Sequence, residues 1–145
     1  MELNIKLLSP NAVAPKYATP GSAAMDLSAC LDQPVVLQPG QRTLLPTGIA
    51  IALPGPEYVA LVFVRSSLGA KYGIALSNGV GVIDSDYRGE IKVGLTNLSD
   101  VPYTIQPGDR VAQLAILPVT QPTVVQVAEL DETDRGAGGF GSTGK

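Results

Sequence analysis

The chain contains no histidine. The side chain whose unperturbed pKa lies nearest neutrality is missing, so acid–base chemistry near pH 7 falls to carboxylates. Cysteine occurs once, at Cys30. A single thiol excludes an intrachain disulfide framework. With no histidine to activate it, Cys30 reads as a small buried apolar residue and not as a nucleophile. A reducing, intracellular, cytoplasmic location suits that usage. Charge is also sparse: 16% of residues are charged, the net charge is −3, and there is no basic block. Nucleic-acid binding through a basic face is therefore not expected. An anionic small ligand would need individual Arg or Lys side chains, backbone N–H groups or a metal. No run approaches ~18 uninterrupted apolar residues, so no membrane-spanning helix is expected. The opening MELNIKLLSPNAVAP lacks the apolar core and cleavage pattern of a secretory signal.

What the chain does have is turn chemistry. Its 145 residues suit one domain, and 45% are hydrophobic, enough to bury a core. Sixteen glycines and twelve prolines exceed average usage and are spread along the whole chain. Between them lie short runs rich in Val, Ile, Leu and Thr. These are Tyr58–Val64 (YVALVFV), Glu90–Leu95 (EIKVGL), Arg110–Leu117 (RVAQLAIL) and Thr123–Leu130 (TVVQVAEL). In EIKVGL, Ile91, Val93 and Leu95 alternate with Glu90, Lys92 and Gly94, the period of a half-buried strand. YVALVFV is apolar throughout, as in a strand covered on both faces. Pro39-Gly40, Pro54-Gly55 and Pro107-Gly108 precede such runs. Proline presets φ at the second turn position and glycine supplies φ > 0 at the third. QPGQR (Gln38–Arg42) and QPGDR (Gln106–Arg110) look like one turn used twice. The best helix candidate is Ser66–Tyr72. The pattern predicts an all-β sandwich or barrel.

Two stretches invite chemistry. In GVIDSDYRGEI (Gly81–Ile91), Asp84 follows Val82 and Ile83, where a buried strand would end. Asp84 taken alone reads as a turn-forming residue. In the last ten residues, GAGGFGSTGK, Phe140 is the only large side chain among five glycines. That tail either frays or closes over a ligand. GFGSTGK (Gly139–Lys145) matches the start of a phosphate-binding P-loop. No Ser or Thr and no helix follow Lys145 in the sequence, so a P-loop fold is not expected.

Five stretches together carry a stronger signal: SAAMDLSA (Ser22–Ala29), RSSLGAK (Arg65–Lys71), NGVGVIDSDYRGE (Asn78–Glu90), GDRVAQLAI (Gly108–Ile116) and RGAGGFGSTG (Arg135–Gly144). In order and spacing they resemble the trimeric dUTP pyrophosphatase (dUTPase) family over essentially the whole chain. The resemblance implies a jelly-roll-like β domain over residues 1–134 and a mobile, glycine-rich C-terminal arm over 135–145. It implies a homotrimer with active sites where subunits meet. It implies Mg²⁺-dependent hydrolysis of dUTP to dUMP and pyrophosphate.

By the same resemblance, Asp84 orients and deprotonates the water that attacks the α-phosphorus. Partial burial beside Val82 and Ile83 would raise its pKa and make it a better base. Tyr87 matches the tyrosine packed under the deoxyribose, where no room is left for a 2′-hydroxyl. Asn78, with the strand backbone around Gly81, matches the amide that pairs with the uracil edge. Asn78-Gly79 is also a strong hairpin signal, and both readings can hold. Arg65, Ser66 and Ser67 match phosphate contacts, and Gln113 lies near the phosphates and the metal's water shell. Asp26 matches an acid that holds hydrated Mg²⁺ indirectly. Arg135, Phe140, Gly141, Ser142 and Thr143 match the arm, with the phenylalanine over uracil and the polar groups on the outer phosphates. Closure would exclude water from the site.

Two departures stand out. Val64 stands where many members have proline, and Ser67 where many have glycine. RSSL also occurs in dCTP deaminases of the same fold. Those usually lack DSDYRG, and their catalytic glutamate aligns with Gly94, which has no side chain. A jelly-roll binding protein without turnover is the other alternative. The retained Asp84, Arg65 and arm argue against it.

Overall fold

The structure is a computed structural model and describes residues 1–140. In chain order its elements are β1 (Asn4–Leu7), β2 (Lys16–Tyr17), β3 (Met25–Ser28), β4 (Val35–Leu37), β5 (Arg42–Pro46), β6 (Ile49–Ala52) and β7 (Tyr58–Val64). There follow α1 (Ser66–Tyr72), β8 (Ile74–Leu76), β9 (Gly81–Ile83), β10 (Lys92–Asn97), β11 (Tyr103–Ile105) and β12 (Arg110–Pro118). Every pairing is antiparallel. One sheet runs β2-β3-β12-β7-β9 and a second runs β5-β10-β8, with the pairs β1-β6 and β11-β4 beside them. The all-β sandwich expected from the turns is what forms, with the jelly-roll-like arrangement that the resemblance implies. Its inner faces close on one core. Leu27, Leu45, Ile49, Ile74, Leu95 and Leu114 are at most 1% exposed, each stabilising the fold by about 2 kcal/mol.

The repeated turn is real. Gly40 and Gly108 both adopt left-handed φ, +74° and +82°. In each turn the residue after glycine donates its N–H back to glutamine: Gln41 to Gln38 at 3.0 Å and Asp109 to Gln106 at 3.1 Å. The same residue's side chain then accepts from the glutamine N–H, at 3.0 Å in the first turn and 2.8 Å in the second. The third Pro-Gly pair differs. Gly55 is not left-handed, and the turn closes from Tyr58 N–H to the Gly55 carbonyl at 3.2 Å. Pro56 therefore takes the second turn position in place of Pro54.

The helix spans the expected residues. Gly73 ends it in the left-handed conformation, φ +67°, and returns its N–H to Gly69 at 3.1 Å. β10 alternates as expected, burying Val93 and Leu95 beside Ile91.

Two strand expectations need correction. β7 is not covered on both faces: Ala60 and Val62 are buried, but Phe63 is 36% exposed. Among the described residues, only its core face has a layer against it. Thr123–Leu130 forms no strand. Val124 is 92% exposed and Leu130 83%. A β pattern becomes a strand only against a hydrogen-bonding edge, and this segment finds none among the described residues of its own chain.

Candidate active site

β9 carries the first set of candidate residues to the sheet edge. It pairs with β7 in the register Val62↔Gly81, Leu61↔Val82 and Ala60↔Ile83. The strand alternates, so Ile83 enters the core while Val82 is 64% exposed. Asp84 is the first residue beyond the strand, and it is exposed. The burial expected to tune its carboxyl is therefore not supplied by its own chain, because the apolar neighbour Val82 faces outward too. Asp84 instead stands on a divide. It lines one cavity of about 470 Å³ and a second of about 740 Å³.

The 470 Å³ cavity gathers Asn78, Gly81, Asp84 and Tyr87, with Val62, Leu76 and Gly94 in its walls. Ser77 and Asn78, and not the Asn78-Gly79 pair, are the central residues of a tight turn, which closes from the Gly79 N–H to the Leu76 carbonyl at 3.1 Å with Gly79 at φ +73°. That turn does not join a paired hairpin. β8 pairs with β10, and β9 pairs with β7, so the turn crosses between sheets and opens a cleft there. A side chain at Gly81 would press to 3.0 Å from Val62 Cβ and lie 3.8 Å from Asn78 Nδ2. Glycine keeps that approach clear. Gly94 faces the same space and contributes no carboxylate. The nearby Glu90 carboxylate is engaged, accepting from Gly48 N–H at 2.9 Å and lying 3.7 Å from Lys92 Nζ.

The second set lies elsewhere. β12 pairs with β3 so that Gln113 lies opposite Asp26 and Arg110 opposite Ser28. A bulge between Arg110 and Ala112 buries Val111 and Ala112 in succession and re-aims Arg110. Asp26 then meets two arginines. Arg110 Nη1 donates to Oδ2 at 3.0 Å. Arg65 Nε lies 3.1 Å from Oδ1, yet neither atom has a well-aligned hydrogen-bond partner. That contact is Coulombic, and Oδ1 keeps acceptor capacity. Arg65 reaches Asp26 because it precedes α1 in extended conformation, φ −72° and ψ 140°. Ser66 and Ser67 follow on the exposed first turn. A polar cavity of about 250 Å³ joins Arg65, Ser67 and Arg110 to Tyr72, Tyr103 and Asp109. Burial, helped by Asp109 and Tyr72 and opposed by Arg65, holds the Tyr103 hydroxyl above its ordinary pKa of 10.0.

A Mg²⁺ ion finds no ready cage, since no three His, Cys, Asp or Glu converge among the described residues. A lone carboxylate such as Asp26 suits an indirect hold through the ion's water shell and not direct ligation, and in this structure its two oxygens lie against Arg65 and Arg110.

Residues 10–144 match the family described as dUTPase. The chain belongs to the dUTPase family. Curated relatives named deoxyuridine 5′-triphosphate nucleotidohydrolase include one from Idiomarina loihiensis, 57% identical over 90% of this chain and 87% of that protein. Another, from Paraburkholderia phymatum, is 52% identical over 100% of this chain and 99% of that protein. Among solved structures, a Staphylococcus bacteriophage 80alpha dUTPase with dUPNHPP superposes with a TM-score of 0.90 at 29% identity, covering 99% of each chain. A dUTPase variant from phage phi11 of S. aureus, whose structure details the coordination of a structural Mg(II) ion, superposes at 0.81 with 26% identity, covering 91% of this chain and all of that one.

Within this family member, the two sets of site residues do not share a cavity. Asn78, Gly81, Asp84 and Tyr87 line one; Arg65 and Ser67 line another. The described residues of the tail line neither. Arg135 folds on itself, donating Nε–H to the Gly138 carbonyl at 2.9 Å, and Phe140 is fully exposed. Gly141, Ser142 and Thr143 lie outside the described residues. The sequence reading missed Arg110. Its partner is 84 positions away, and only the GDR turn followed by a strand hinted at a placed cation.

Proposed function

We propose that this chain hydrolyses dUTP to dUMP and pyrophosphate, limiting uracil incorporation into DNA and supplying dUMP for dTMP synthesis. The observation that carries the reading is the cavity that brings Asn78, Gly81, Asp84 and Tyr87 together. The Asn78 amide and adjacent strand backbone pair with the uracil edge, leaving polar groups unmatched for a base with another donor pattern. Tyr87 lies under the deoxyribose. Asp84 takes a proton from the attacking water as its oxygen bonds to the α-phosphorus. The bond from that phosphorus to the oxygen bridging to the β-phosphate breaks, and pyrophosphate leaves with the electron pair. Arg65, Ser66, Ser67 and Gln113 bind the phosphates, Arg65 through its planar fork. Mg²⁺, when bound, neutralises charge on the triphosphate oxygens; Asp26 is the residue that would hold it, through water.

The working form is a homotrimer, with each site completed by more than one subunit. The base-side residues and the phosphate-side residues line separate cavities of the single chain, and that separation supports sites completed by more than one subunit. The arm, residues 135–145, closes on the 1–134 domain through Arg135, Phe140, Gly141, Ser142 and Thr143. The free Phe140 ring supports an arm that acts away from its own chain's surface. A cytoplasmic location fits the single unpaired Cys30. No helix among the described residues is long and apolar enough to cross a membrane.

The test is incubation of the purified protein with Mg²⁺ and, separately, dUTP, dCTP, dTTP and UTP, with products separated by ion exchange. dUMP and pyrophosphate from dUTP alone is the expected result. Deaminated product from dCTP, or no product from any, would overturn the reading.

A further inference from the structure

Tyr87 is 46% exposed on the cavity side, so what fixes its ring lies beneath it. The hydroxyl donates to the Glu90 carbonyl at 3.0 Å. The Tyr87 N–H closes a turn onto the Asp84 carbonyl at 3.2 Å. The ring rests on Gly89. A Cβ built there would overlap the Tyr87 hydroxyl oxygen and lie 2.6 Å from Cζ and 3.0 Å from Cε2. Gly89 is not among the left-handed glycines, so its backbone does not call for glycine. The space does. Glu90 is anchored in turn, its carboxylate on the Gly48 N–H at 2.9 Å. Gly48 packs against Ala12 and Cys30. The carbonyl that receives the tyrosine hydroxyl is thereby tied to the body of the domain.

We propose that Gly89 is a specificity-determining positioning residue: its missing side chain seats the Tyr87 ring firmly enough to exclude a 2′-hydroxyl. The proposal rests on the reading of Tyr87 as the surface under the sugar. Steric exclusion needs a fixed surface, because a ring free to swing is displaced by one hydroxyl at little cost. A methyl group at position 89 pushes the far end of the ring off its bed and away from the Glu90 carbonyl. The ring then moves about its two torsions, since it yields more cheaply than backbone. Discrimination falls while the base and phosphate contacts stay.

The experiment compares kcat/KM for UTP and dUTP in the Mg²⁺-loaded full-length protein and in Gly89→Ala, Tyr87→Phe, Tyr87→Ala and the double variant Tyr87→Ala/Gly89→Ala. Gly89→Ala is expected to raise the UTP:dUTP ratio by about tenfold, the effect of about 1.4 kcal/mol. Tyr87→Phe, which keeps the ring on its bed, should raise it less, and Tyr87→Ala at least as much. If Gly89 acts only through the ring, the double variant matches Tyr87→Ala. The double variant has no ring to clash with, so it stays informative even if Gly89→Ala folds poorly. An unchanged ratio in Gly89→Ala beside a raised ratio in Tyr87→Ala overturns the proposal alone. A further rise from the second substitution does the same. An unchanged ratio in all variants overturns the reading of Tyr87 and the proposal with it.

Discussion

Replacing Asp26 separates two contacts that look alike on paper. Its side chain is 11% exposed and faces Arg65, 23% exposed, and Arg110, 53% exposed. The Arg110 contact is well aligned but solvated, and such pairs stabilise by about 0.5 kcal/mol. The Arg65 contact is more buried and poorly aligned. At 3.1 Å and an effective dielectric of about 20, its Coulomb attraction is roughly 5 kcal/mol. Desolvation of both ions offsets most of that, leaving about 1–2 kcal/mol. Asp26→Asn keeps the shape. One orientation turns the amide oxygen to Arg65 and the NH₂ to Arg110, which can swing into solvent. The expected loss is about 1.5 kcal/mol. Asp26→Ala strands the Arg65 guanidinium and should cost about 3 kcal/mol. Arg110→Ala should cost about 0.5 kcal/mol. Urea unfolding followed by far-UV circular dichroism, at fixed protein concentration because association adds to stability, reads these losses. With a slope of about 2 kcal/mol per molar, the midpoints fall by about 0.7 M, 1.5 M and 0.2 M in that order. KM for dUTP should rise in the same order as Arg65 loses its seat. If Asp26→Ala is no worse than Arg110→Ala, Asp26 does not anchor Arg65 and the argument fails.

Four further outcomes follow from the same structure. Asp84→Asn should fold and bind dUTP yet lose most turnover, about 100-fold or more for a lost general base; single-turnover kinetics beside a binding titration checks this, and near-normal turnover removes Asp84 from the base role. Truncation after Gly136 should cut turnover and leave the proposed trimer intact on a sizing column, whereas an unchanged rate makes the tail dispensable. Asn97 is fully buried, donates Nδ2–H to the Leu37 and Val101 carbonyls at 2.9 and 2.7 Å, and accepts from Ser99 N–H and Oγ–H. Asn97→Ala should therefore cost about 4 kcal/mol, read by denaturation, and a loss under about 1 kcal/mol would contradict it. The Tyr103 hydroxyl has a raised folded-state pKa, so its stabilising contribution is complete below pH 10 or so and disappears as pH rises through the folded value. Tyr103→Phe should flatten that alkaline limb of stability, measured as melting temperature against pH.

Much of the fold was legible because its signals are local. A Pro-Gly turn, an alternating run such as Ile91–Leu95 and the helix at Ser66–Tyr72 are each specified within a few residues. What was not legible depends on distant partners. Thr123–Leu130 has strand composition, but no edge among the described residues accepts it. Asp84 follows two apolar residues, yet strand alternation points Val82 outward and leaves the carboxylate exposed. Pro54-Gly55 reads as a turn, but Pro56 competes for the same position and takes it. Around the site, the grouping of Asn78, Gly81, Asp84 and Tyr87 was readable because they lie on one stretch crossing between sheets. Arg110 was not, because its meaning comes from Asp26 on another strand and from a bulge that no local pattern announces.

The close packing of Cys30 against Gly48 has a practical use. Gly48 gives its N–H to Glu90, and Glu90 receives the Tyr87 hydroxyl. The chain's lone sulfhydryl, half-buried at the far end of that relay, is thus a native reporter. Comparing its rate of reaction with a thiol reagent before and after substitution of Glu90 tests whether the packing at Gly48 depends on that relay, with no label attached.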